Sequence, residues 1–299
     1  MPAAQLARLA DRGVVRVRGR DSEKLLQDLV TNDLDRLGAN AARYAGLLSP
    51  QGKILFDFFV VRHGDGFLLD VARAKTVELT KRLTMYKLRA DVEITDVSES
   101  FTAFAAWGAD SEKLIEGRDI TFADPRHPAL GLRLLDEIKA DGARPLTEND
   151  SQQSYDSHRV EIGVPEGGKD YEFGDAYPHE ADFDLFNGVS FTKGCFVGQE
   201  IVARMQNKSV VRKRAIRISG SAPLTSRLEI LLGSVPVGTI GTVDGSNAIA
   251  MLRLDRAVEA EQKNQKLTAG GVIVTPDEEA LARYRASAAA RPSTALPAP

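Results

Sequence analysis

Apolar positions over the first 140 residues alternate between a helical spacing and short β-like runs. Asp21 is a candidate N-cap, and Leu25, Leu26, Leu29 and Val30 then recur at helical intervals until Gly38 ends the pattern. Tyr44 to Leu48 and Ile54 to Val61 read as strands flanking the turn Ser49-Pro50-Gln51-Gly52, and Gly66 to Val71 reads as a third. A helix is predicted over Lys75 to Leu88, with Leu79, Leu83 and Tyr86 on one face. Strands over Val92 to Ile94, Phe101 to Trp107, Ile120 to Phe122 and Leu132 to Leu135, with a short helix from Asp110, complete a compact α+β unit.

A polar helix from about Asp150 to Val160 precedes an irregular stretch, Gly163 to Thr192, rich in glycine, acids and aromatics. Loops of that length in a compact protein are functional or disordered. From Val210 the pattern changes to closely spaced β-rich runs: Arg214 to Ile218, Glu229 to Leu232, Val237 to Val243, Ala248 to Leu254 and Val272 to Thr275. These predict a small β-barrel or sandwich. Asp277 caps a last helix to about Arg285, and the final fourteen residues, with six alanines and three prolines, are expected to be a disordered tail.

At 299 residues, 43% apolar and 27% charged, the chain suits two or three globular domains and excludes collagen, coiled coil and wholesale disorder. The uncharged run Ile230 to Val243 is too short and too broken by glycine and proline to span a bilayer, so no membrane association is expected. A single cysteine, Cys195, permits no internal disulfide or multi-cysteine metal cage and points to a reducing, cytoplasmic setting. The first twenty residues carry five arginines and one acid but no apolar core or serine richness. Leu6 to Arg20 is therefore expected to belong to the fold.

The most unusual segment is Lys193-Gly194-Cys195-Phe196-Val197-Gly198-Gln199-Glu200, leading into a helix predicted over Val197 to Met205. A cysteine at a helix start, with Lys193 nearby and glycines on either side, suits a reactive thiolate. The same residues suit a small buried hydrophobe flanked by Phe196 and Val197, and spacing does not separate the two. His63, His127, His158 and His179 share no spacing that builds a catalytic triad or a metal site, and no glycine fingerprint supports a nucleotide cofactor. Between Ile201 and Leu228 stand seven basic residues and no acid, against a net charge of −3. The segment Arg204 to Arg217 could meet an anionic ligand such as a polyglutamate tail, or be a solvated strand. Aromatic residues for base stacking are lacking there, so nucleic acid is not an expected partner.

With these residues in view, the chain resembles the YgfZ family, folate-binding relatives of the glycine-cleavage T-protein. KGCFVGQEIVAR is similar to that family's signature; VRVRGRDSEKLLQDLVTNDL, LLSPQGKILFDF, RVEIGVPE, the Pro178-His179-Glu180 element and MLRLD resemble it in order. The resemblance implies an α+β, three-domain T-protein-like ring around a central folate cavity, with a C-terminal β-barrel. Residues 1–48 with 145–208 would form a discontinuous first domain, 49–144 a ferredoxin-like domain and 209–285 the barrel, before a tail at 286–299. It further implies a monomer that binds tetrahydrofolate and assists iron–sulfur cluster assembly in client enzymes, tRNA-modifying ones among them. Cys195 and Lys193 would be the reactive pair; Glu180, Gln199, Glu200, Arg159 and Arg204 would bind the folate.

One position departs from the T-protein. Where that protein carries two adjacent aspartates after the glycine turn, this chain reads Phe56-Asp57. A phenyl ring cannot do the work of a carboxylate at the reacting folate nitrogen. An assembly factor is therefore favoured over the alternative, a folate-dependent aminomethyl or one-carbon transferase or demethylase.

Overall fold

A computed structural model describes residues 3–35, 37–39, 41–118, 120–138, 146–208 and 210–290. Its strands are β1 (Gln5–Arg8), β2 (Arg12–Arg18), β3 (Ala42–Leu48), β4 (Ile54–His63), β5 (Gly66–Ala72), β6 (Glu93–Asp96), β7 (Phe101–Trp107), β8 (Thr121–Ala123), β9 (Leu132–Glu137), β10 (Lys213–Gly220), β11 (Glu229–Leu232), β12 (Val235–Asp244), β13 (Asn247–Arg253), β14 (Leu267–Ala269) and β15 (Val272–Pro276). Its helices are α1 (Ser22–Leu29), α2 (Thr76–Lys87), α3 (Gln152–Ile162), α4 (Gln199–Lys208), α5 (Leu254–Gln262) and α6 (Glu278–Ala290).

Three sheets organise the chain: β3-β4-β5-β2-β6, β1-β7-β9-β8, and a closed barrel β10-β13-β12-β11-β14-β15. β4 is buried on both faces, which is why its sequence reads as an almost unbroken apolar run. Phe56, Phe58 and Val60 pack under α1 and α2, whereas Phe59 and Val61 join Trp107, Phe122 and Leu135 between the two open sheets. The barrel has its own interior of Ile216, Ile240, Leu252 and neighbours.

Both open sheets draw strands from either side of the expected division at 48/49: β2 and β3 pair in one sheet with β4, β5 and β6, and β1 pairs with β7 in the other. The expected breaks at 144/145 and 208/209 touch residues outside those described. The helix predicted to begin at Val197 begins at Gln199. The last helix continues past Arg285 to Ala290, so part of the expected tail is helical, while 291–299 lie outside the described residues. Asp277 caps that helix as predicted, accepting the Ala280 N–H at 3.0 Å.

The place where the two open sheets meet α3 is filled by buried ions. Arg12 on β2 pairs with Asp70 on β5 at 2.6 Å, and Arg133 on β9 bridges Asp70 and Asp124, each at 3.0 Å. Burial alone would raise the Asp124 carboxyl, but Arg126 and Arg133 hold it down at about 2.

Candidate functional site

The Cys195 segment forms a short arch between Lys193, which is buried, and Gly198, which is half-buried. Gly194 and Cys195 at its crest are exposed between buried Lys193 and buried Phe196. The first foot is Lys193, whose ammonium donates to the carbonyls of Gln27, Val30 and Asn32 at 2.7, 2.7 and 2.9 Å. These carbonyls lie in the last turn of α1 and just beyond it, where helix geometry leaves acceptors without internal donors. The chain leading to the arch runs alongside the same turn: Ser190 N–H donates to Thr31 O, and the Asn32 side chain donates to Asn187 O at 2.6 Å.

The second foot is Gly198. Its φ of +80° favours glycine, and a Cβ there would lie 2.8 Å from Ser49 O and 3.0 Å from the Gly52 Cα. The arch thus rests on the β3–β4 turn read from Ser49 to Gly52, and Gly52 in turn leaves room for Ile201 of α4. Gln199 closes the arch, its Oε1 accepting the Phe196 N–H at 3.3 Å. Gly194 differs: a Cβ there would meet nothing within 4 Å, so close packing does not require it.

The structure separates the other expected site residues. Glu180 is half-buried, and its Oε2 accepts the Tyr177 N–H at 3.0 Å within the turn that carries the Pro178-His179-Glu180 element. His179 from that element meets Gln206 of α4 at 3.0 Å and so links it to the helix behind the arch. Glu200 and Arg204 are exposed on α4. Arg159 stands apart from all of these. It is fully buried, and its five N–H groups go to Asp156, Val164 O, Asp170 and Thr242. The expectation that Arg159 binds folate is therefore corrected: it joins α3 to β12 and has no donor left for a ligand. Lys193 is corrected likewise, since a carbonyl meets each of its ammonium hydrogens and none remains for Cys195.

Phe56 is fully buried, and Asp57 beside it serves the fold, its Oδ2 accepting the hydroxyls of Tyr44 and Tyr171 at 2.9 and 2.6 Å. Asp57 Oδ1 is buried without a hydrogen-bond partner. In the basic segment, Lys213 pairs with Asp175, Arg214 with Asp182 and Asp184, and Arg217 with Asp277, so three of the six basic residues from Arg204 to Arg217 stand in ion pairs. Sequence reasoning found the arch but not its supports, because backbone carbonyls carry no residue signature.

Known proteins sharpen this picture. Residues 3–147 match the family model of the GCVT N-terminal domain, and residues 212–284 that of the CAF17 C-terminal beta-barrel domain. The mitochondrial iron-sulfur cluster assembly factor IBA57 of Mus musculus is 33% identical over 270 residues, covering 81% of this chain and 72% of that protein. The chain belongs to the IBA57 family. The Homo sapiens IBA57 is 32% identical, covering 80% of this chain and 71% of its own. The Mycosarcoma maydis IBA57 homolog is 34% identical over 80% of this chain, which spans 61% of that relative's length. Among solved structures, the glycine cleavage system aminomethyltransferase T from Bartonella henselae shares the fold, with a TM-score of 0.72 at 15% identity over 91% of this chain and 84% of its own. The expected resemblance holds at the level of T-protein-like iron–sulfur assembly factors, with the relatives carrying the name IBA57 where the sequence pointed to YgfZ. One expectation is corrected: the relatives are named mitochondrial, against the expected cytoplasmic setting.

Proposed function

We propose that this chain assists the assembly or maintenance of iron–sulfur clusters in client enzymes, tRNA-modifying ones among them, and that Cys195 contacts the cluster in transit. The observation that carries the reading is the arch: an exposed thiol on a two-residue crest between buried Lys193 and buried Phe196, open to a partner. The names of the IBA57 relatives support the same class of work. Clusters are held by several thiolates, so a chain with one cysteine supplies one ligand and the client or a second protein supplies the rest. The decisive experiment measures a cluster-dependent enzyme in cells carrying only Cys195→Ala. Activity is expected to fall to the level of cells lacking the protein while the melting temperature of the purified variant stays within about 2 °C, as for an exposed side chain. Full activity in those cells would remove Cys195 from the function.

Tetrahydrofolate is the proposed bound cofactor, and the residues present fit its chemistry in part. The amino-pyrimidinone edge of a pterin is rich in N–H donors. Glu180 has a carboxylate oxygen beyond the one given to Tyr177, and Asp57 Oδ1 is an acceptor with no donor of its own. Glu180 would hold the pterin, and Gln199, Glu200 and Arg204 on the first turns of α4 would meet the rest of the molecule. When bound, the folate supplies a redox-active pterin and a one-carbon carrier. Calorimetry with tetrahydrofolate should show a loss of about 1.5–3 kcal/mol for Glu180→Ala, the worth of a charge-assisted hydrogen bond. Equal affinity in both proteins would remove Glu180 from the site. The one-carbon transferase reading is not adopted, because Phe56 is sealed in the core where that chemistry needs a carboxylate.

A further inference from the structure

We infer that Lys193 is the positioning residue of the Cys195 arch: its ammonium, seated in the cup of carbonyls at the end of α1, sets the orientation in which the thiol is presented. The inference rests on the proposed role of Cys195 in cluster assembly, and it adds what holds that residue in place.

The cup is built for a tetrahedral donor. Gln27 O, Val30 O and Asn32 O converge within 2.9 Å of one nitrogen, so three acceptors meet the three hydrogens of an ammonium group. α1 has no basic residue in its own last turn, where a cation suits the helix dipole, and Lys193 delivers that charge from more than 160 residues further along the chain. Burial pulls the ammonium down to about 8, and Asp33, Asp28 and Asp35 act against that fall. The Phe196 ring, 5.3 Å from Nζ, covers the amine from the other side. The two exposed residues of the crest are thus strung between the lysine in the cup and the ring that covers it.

The cup also explains why lysine stands at this position. An arginine fork is flat and spreads its donors in one plane, which does not match three carbonyls converging on a point. A methionine has similar length and no donor, and would leave three carbonyls unpaired, two of them in buried settings. Neither substitution touches Cys195, so a change at the thiol is transmitted through the arch.

The test compares the wild type, Lys193→Met, Lys193→Arg and Cys195→Ala. Hydrogen–deuterium exchange of the stretch 190–198 is expected to rise at least tenfold in Lys193→Met and in Lys193→Arg, with β4 and the barrel strands exchanging as in the wild type. Cluster-enzyme activity in cells should fall in both lysine variants to the Cys195→Ala level. Wild-type exchange in Lys193→Met, or restoration of slow exchange by Lys193→Arg, would overturn the clasp. A loosened arch with full cellular activity, in a setting where Cys195→Ala is inactive, would overturn the positioning role and leave the role of Cys195 standing. Full activity in Cys195→Ala would instead strike at the proposed function itself. One measurement needs no variant: reductive methylation of the folded wild type should spare Lys193 and modify the exposed Lys24. Equal modification of the two would overturn the inference even if the lysine variants failed to fold.

Discussion

Arg214 is shared by two carboxylates, and the sharing is unequal. Asp184 takes two of its N–H groups, at 2.9 and 2.7 Å, whereas Asp182 receives one, at 2.6 Å, in a fully buried setting. Burial outweighs Arg214 and, with repulsion from Asp184, pushes the Asp182 carboxyl up to about 7. An acid raised in the folded state binds its proton more tightly there than when unfolded. Its contribution to stability is present below the ordinary value of 3.8 and is lost as pH rises through about 7. Stability is therefore expected to decline from pH 5 towards pH 7 by up to about 1.4 kcal/mol per pH unit for one proton and to level off above that, with the melting temperature following it. Asp182→Asn should flatten this decline, and asparagine tolerates the left-handed backbone at φ 57°. Parallel pH profiles for the two proteins would assign the decline to another group.

At the scale of elements, the second foot of the arch tests whether the β3–β4 turn sets the position of α4. Gly198→Ala forces a Cβ toward Ser49 O at a positive φ, and urea unfolding should show a loss of about 1–3 kcal/mol. Gly194→Ala, whose Cβ would enter open space, should change stability by less than about 0.5 kcal/mol. Comparable losses in the two would mean that the turn does not support the arch. Elements with a plain periodicity were legible in the sequence: β4, α2 and β7 fall within a residue or two of where the apolar spacing puts them. Others were not, for identifiable reasons. In β2, buried Arg12 and half-buried Arg16 break the apolar signature, because the charge of Arg12 is neutralised by Asp70 from another strand. α5 follows β13 with no turn residue between them and no side-chain cap on Arg253, so nothing local marks its start. β14 is three residues long, too short for any period to register.

Across the whole molecule, the least legible feature is the ion network between the sheets. Arg12, Asp70, Arg133, Asp124, Glu166 and Arg159 come from four separated stretches of chain, and a one-dimensional charge count cannot distinguish them from solvated surface residues. Buried pairs of this kind cost much of their attraction in desolvation, so their contribution lies more in fixing how the sheets and α3 sit together than in net stability. The candidate site shows the same division. The sequence named KGCFVGQE, while its supports are a helix end and a hairpin turn more than 140 residues earlier.

That distance has a consequence in time. During synthesis, α1 leaves the ribosome long before the lysine that occupies its carbonyl cup. At 5–20 residues per second, the roughly 160 residues between them take on the order of 10–30 s to make. For that interval the end of α1 has only water for its carbonyls, and no chain stopped short of Lys193 can complete it. The thiol at position 195 follows two residues later, so a nascent chain gains its reactive group and the means of orienting it almost together, after both open sheets have all their strands. A truncated product therefore carries neither, and cannot offer a poorly placed thiol to iron or to another protein.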